Sequence, residues 1–135
     1  MVLLCLAIMT HGHIQIHGTG MRRNRRDSPH PPSPIYDSFY VPKKGWDETK
    51  PGTVLASRNI QAGFTKTQKI NLDGAYQLLY RTSGVDDKSP SYSVTTVLVP
   101  KNARPNKLVL IMAYEDSNFV ECAPSYKIQL GAPLE

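Results

Sequence analysis

The stretch Lys107-Leu-Val-Leu-Ile-Met-Ala-Tyr114 constrains the fold more than any other. It is apolar almost throughout, the pattern of a strand covered on both faces rather than on one. Such a strand needs one layer above its sheet and another below. At 135 residues the chain is long enough for one small domain, and residues 115–135 supply neither layer. The expectation is therefore an α/β sheet cut short, β-rich as it stands: an antiparallel hairpin plus a buried strand.

The hairpin comes from two runs. Ala75-Tyr-Gln-Leu-Leu-Tyr-Arg-Thr82 alternates, with Tyr76, Leu78 and Tyr80 on one face. Tyr92-Ser-Val-Thr-Thr-Val-Leu-Val99 is rich in β-branched residues and stops at Pro100. Residues 83–90 between them hold Gly84, Asp86, Asp87 and Ser89, a polar loop that makes the pair antiparallel. Residues 53–60, after the Pro51-Gly52 turn, read as an earlier strand. A short helix is expected from Ser125 to Leu130, entered at Ala123-Pro124. Tyr36, Phe39, Tyr40, Val41 and Trp46 anchor an irregular segment on a larger body. The 11 prolines fall mostly at segment edges, which favours short strands and loops.

The N-terminal part differs in character. Residues 1–20 read as a possible signal or leader. The apolar run 1–10 has the length of a signal core and is too short to span a bilayer. It lacks a preceding basic residue and a small-x-small cleavage site, so a displaced start is the alternative. Residues 21–35 form a basic, Pro-rich linker that is expected to be disordered. Its Arg22-Arg-Asn-Arg-Arg26 run is either a processing site or a solvated linker. Most of the net charge of +5 sits there, which leaves residues 36–135 nearly neutral. Those residues lack the basic face with interleaved aromatic residues that nucleic-acid binding requires. No Asn-x-Ser/Thr sequence occurs.

The chemistry is defined largely by what is missing. All four histidines (His11, His13, His17 and His30) precede Tyr36, and no Gly-x-Ser-x-Gly elbow occurs. A serine hydrolase needs both a nucleophile and a base. Cys122 likewise has no histidine after residue 35 to activate it. With the leader gone it is a free thiol, half of an intermolecular bridge, or a cysteine whose partner is missing. His11, His13 and His17 lie on one segment, a poor frame for a metal, and no cofactor is expected. Ala113-Tyr-Glu-Asp-Ser117 is the one stretch with a chemical look. It comes directly after the apolar strand, where α/β sheets place their sites, although a solvated loop reads the same way.

Five segments together resemble the fungal secretory lipases, the family of Candida antarctica lipase A. They are Asp37-Ser-Phe-Tyr-Val-Pro42, Pro51-Gly-Thr-Val-Leu-Ala-Ser-Arg58, Ala75-Tyr-Gln-Leu-Leu-Tyr-Arg-Thr82, Val94-Thr-Thr-Val-Leu-Val-Pro100, and Tyr114-Glu-Asp-Ser117 with Cys122-Ala-Pro-Ser-Tyr126 after it. The likeness runs from Asp37 to Ala132. It implies a secreted triacylglycerol lipase with an α/β-hydrolase fold, acting on lipid, of which residues 36–135 are the N-terminal portion. It implies that Asp116 lies in the oxyanion hole as a backbone donor, and that Cys122 has a disulfide partner further along. Serine, acid, base and lid would all lie beyond Glu135, so this chain alone is expected to be inactive. The other reading is a secreted, non-catalytic β-rich binding module derived from such an N-terminus.

Overall fold

The runs at 75–82 and 92–99 form a long hairpin, and the rest of the sheet is assembled around it. The computed structural model describes residues 2–7, 30–64, 67–104, 107–112 and 117–132. In chain order the strands are β1 (Val2–Ala7), β2 (Val54–Asn59), β3 (Leu72–Ser83), β4 (Pro90–Pro100) and β5 (Lys107–Ile111). A four-residue helix, α1 (Pro124–Lys127), lies beyond them. Short 3-10 turns occupy Ser38–Tyr40, Trp46–Glu48 and Val120–Cys122. The sheet order is β2-β3-β4-β1-β5. The first four strands in that order pair antiparallel, and β5 runs parallel to β1.

The hairpin loop is where the sequence places it. Gly84 N–H donates to Ser89 O at 2.8 Å, and Asp87 takes a positive φ of 54°. A Cβ on Gly84 would lie 2.3 Å from Ser89 Oγ, so a side chain there would displace the hydroxyl that Asp86 holds. Asp86 Oδ1 accepts from Ser89 Oγ at 2.7 Å, from Ser89 N–H at 2.9 Å and from Lys88 N–H at 3.1 Å. The Ser89 hydroxyl, helped by these amides, lowers the Asp86 carboxyl from 3.8 to about 2. The folded loop thus favours the charged carboxylate. Its contribution is complete above pH 3.8 and is lost as pH falls through about 2. In a carboxyl NMR titration Asp86 is expected to show a midpoint near 2, and Ser89→Ala should raise it. A midpoint at the ordinary value in the parent chain would refute the loop geometry.

One core cluster lies on one face of the hairpin. Ala75 and Leu98 pack with Ala62, ringed by Ile60, Ile70, Leu72 and Ile128. A second cluster gathers Ala123, Tyr126 and Ala132 around α1. The helix expected at 125–130 is shorter than its sequence suggests. Pro124 opens it, and from Leu130 the chain turns to donate N–H to Gln61 O at 2.8 Å. The irregular segment packs as expected in part: the Trp46 ring meets Tyr92 edge-on at 5.0 Å. Tyr36 and Val41 stay exposed.

One sequence expectation is corrected: the strand that begins at Lys107 is not buried over Lys107–Ile111. All five residues of β5 are exposed, Leu108 by 62% and Ile111 by 43%. The reason is positional: β5 is an edge strand whose ladder partner is β1. An uncovered apolar edge of this kind is prone to association. Val2–Ala7, within the expected leader, forms a strand inside the sheet. At the end of the expected linker, residues 31–34 make contacts with the rest of the chain. Ser33 Oγ donates to Glu121 Oε1 at 2.6 Å, Tyr126 OH donates to Pro31 O, and Pro34 is buried. Residues 21–29 lie outside the described residues.

Candidate functional site

The segment with a chemical look begins where β5 ends. Met112 is 68% exposed, and residues 113–116, Asp116 among them, lie outside the described residues. Next along the chain, Ser117 Oγ accepts from Phe119 N–H at 3.2 Å. The turn Val120–Cys122 then leads into α1. Cys122 is exposed and forms no disulfide among the described residues. Glu121, one residue before it, is held by Ser33. His30, the one histidine among the described residues, contacts Gly131 O through Nδ1 at 2.5 Å.

The structure also brings together a group that sequence reasoning misses. Arg58 on β2, Gln77 on β3 and Thr96 on β4 lie directly opposite one another, so they share one face of the sheet. Gln77 and Thr96 are fully buried. Arg58 Nε donates to Gln77 Oε1 at 2.8 Å, and Arg58 Nη1 pairs with Asp37 Oδ2 at 2.5 Å. Gln77 Nε2 donates to Ser125 O at 2.6 Å and to Tyr40 OH at 3.3 Å. The Arg58 guanidinium also lies 4.2 Å from the centre of the Phe39 ring.

This network has a clear physical logic. A charged group taken from water must be paired and hydrogen-bonded, or its burial is costly. Asp37 supplies the countercharge, and its Oδ1 also caps the Ser38–Tyr40 turn by accepting from Phe39 N–H at 3.1 Å. Burial raises the Tyr40 phenol above its ordinary value of 10.0, outweighing the Gln77 hydrogen bond that lowers it. Tyr40 therefore stays neutral at physiological pH. The network has no nucleophile paired with a base, so it fastens rather than reacts. It ties the 37–40 segment and α1 to the sheet face.

These residues fall inside segments that sequence analysis singled out: Asp37 and Tyr40 in the first, Arg58 in the second, Gln77 in the third and Ser125 in the last. A polar residue alternating into a buried face was the signal present in the sequence. Among the described residues, no group of three or more His, Cys, Asp or Glu gathers to hold a metal. No described helix is long and apolar enough to cross a membrane.

Over 104 residues, 77% of its length, the chain is 46% identical to a secreted triacylglycerol lipase of Malassezia restricta and covers 22% of that protein. One from Malassezia globosa is 50% identical over 104 residues, with 18% of it covered. Another from the same species is 42% identical over 131 residues, 95% of this chain and 26% of the relative. The chain thus spans between 18% and 26% of the length of these curated relatives. No protein-family model matches the chain, and no solved structure matches it.

Proposed function

We propose that this chain supplies the opening part of the sheet of a secreted α/β-hydrolase that cleaves acylglycerol esters, of the Candida antarctica lipase A type. The observation that carries this reading is the identity of 42–50% to secreted triacylglycerol lipases over most of the chain. The fastening network supports it, because the segments that resemble the lipase family converge on one buried cluster. In this reading the loop after β5 contributes half of an oxyanion hole through the backbone N–H of Asp116, an arrangement that suits acyl transfer. The serine nucleophile, acid and base come from sequence beyond Glu135 in a whole lipase. Cys122, exposed beside the anchored Glu121, takes its disulfide partner from the same region. The substrate is lipid, and the chemistry calls for no metal or cofactor.

A chimera tests this. The matched residues of the Malassezia restricta lipase are replaced by those of this chain, and hydrolysis of a triacylglycerol emulsion is measured over time. The chimera is expected to be secreted and active, and the 135-residue chain alone to release no fatty acid. A folded, secreted chimera without activity would count against the proposal. So would turnover by the chain alone, which has no elbow serine and no histidine after His30.

A further inference from the structure

Of the two arginines on the covered face of the sheet, one has a countercharge and the other has none. Gln77, Leu79 and Arg81 alternate onto that face of β3, where Arg58 stands opposite Gln77 on β2. Arg58 pairs with Asp37 and lies over the Phe39 ring. Arg81 has neither kind of partner. Its side chain makes no ion pair, hydrogen bond or cation–ring contact among the described residues, although only 9% of the residue is exposed. Its Nε is enclosed and has no acceptor. The backbone around it is committed: Gly52 N–H donates to Arg81 O at 2.8 Å, and Arg81 N–H donates to Thr53 O at 2.9 Å. Across the ladder stands Tyr92, whose ring meets Trp46 edge-on. The guanidinium therefore sits on a fixed frame with its charge unanswered. Burial of a charge without a partner is costly, and buried arginines are as a rule paired.

We propose that Arg81 is a docking point for a protein carboxylate, an Asp or Glu that the rest of a whole lipase lays over this end of the sheet. The inference rests on the reading above, that the chain supplies the opening part of such an enzyme. The curated relatives are covered over only 18–26% of their length, so most of a whole lipase lies outside these residues. Charge complementarity selects the partner. An arginine does not shed its charge on burial as a lysine can, so the charge has to be met by an anion. The planar guanidinium fork matches a carboxylate through two parallel N–H···O bonds. The place suits a clasp. Gln77 and Arg58 fasten the middle of β3 to the 37–40 segment and α1, whereas Arg81 lies two residues from the Ser83 end of the strand. Arg81 also falls within residues 75–82, one of the segments that resemble the lipase family.

One substitution read in two contexts tests this. Arg81→Met keeps the stem of the side chain and removes its charge. In the 135-residue chain, where that charge is unanswered, it is expected to raise the thermal midpoint by a few degrees. In the chimera it is expected to lower the midpoint by a few degrees, because the acid is then left without its partner. Arg81→Lys, which keeps a charge without the fork, is expected to fall between the parent chimera and Arg81→Met. The acid itself is found by changing each Asp and Glu of the lipase part in turn to its amide, with and without Arg81→Met. One acid is expected for which the two changes together cost less than their sum. A fall in midpoint in both contexts would overturn the proposal, since Arg81 would then act through its packing alone. A rise in both, or the lack of any coupled acid, would overturn it as well. So would a midpoint of the 135-residue chain that rises with millimolar octanoate only while Arg81 is present, which would reassign the guanidinium to a free fatty acid. Activity of the parent chimera reads the lipase assignment separately. An active chimera in which Arg81→Met changes nothing sinks the docking proposal alone. A folded chimera without activity counts against the lipase reading, and the midpoint shifts still decide the docking.

Discussion

Asp116→Pro, placed in the active chimera, is expected to lower the turnover number by roughly two to three orders of magnitude, whereas Asp116→Asn retains most of it. In acyl transfer the carbonyl oxygen becomes an oxyanion, and a backbone N–H aimed at it is worth on the order of 3 kcal/mol. Proline has no N–H and so removes that donor. The carboxylate plays a different part. Two negative charges in contact would repel, so the carboxylate is expected to face away from the oxyanion and to accept a backbone hydrogen bond. Asparagine keeps both that acceptor and the amide. The measurement is the turnover number on a p-nitrophenyl ester at saturating substrate, with circular dichroism as a check on folding. Equal losses in two folded variants would refute the backbone-donor role and give the carboxylate a chemical one.

Gln77→Leu is expected to destabilise the chain by about 2–4 kcal/mol, because each buried polar group stripped of its partner costs about 1–3 kcal/mol. The substitution keeps the volume but strands Arg58 Nε and Ser125 O. Arg58 already has one buried nitrogen, Nη2, without a partner among the described residues. Losing the Nε bond leaves Arg58 to its Nη1 contact with Asp37 and its place over the Phe39 ring. Because Gln77 also anchors α1, the effect should extend beyond β3. Chemical denaturation gives the stability change, and amide exchange at residues 124–129 tests the anchoring. A loss below about 0.5 kcal/mol, the scale of an ordinary surface change, would show that the network does not fasten the fold.

Asp116 and Gln77 show how differently two residues were legible. The position of Asp116 after an apolar strand, together with its Tyr-Glu-Asp-Ser context, marks it in the sequence, although it lies outside the described residues. Gln77 sits in the middle of a strand whose other face, with Tyr76, Leu78 and Tyr80, is the more apolar one. Alternation shows that the two sets face opposite ways. It does not show which set is covered, and the structure covers Gln77, Leu79 and Arg81 while Tyr76 is 37% exposed.

The sequence by itself determined the local features. Alternation and β-branching produced the β3–β4 hairpin, Gly84 and Asp86 its loop, and Pro124 the start of α1. The absence of an elbow serine, and of any histidine after His30, likewise needs no structure to be seen. These features arise from residues close together in the chain, where steric and hydrogen-bonding preferences act without outside help. Only the tertiary structure decided the exposure of β5, the place of Val2–Ala7 within the sheet, and the joining of Asp37, Arg58, Gln77 and Ser125. Burial and ladder pairing depend on what packs against a segment, and here the partners lie from 19 residues away, as Arg58 and Gln77 do, to 105, as Val2 and Lys107 do.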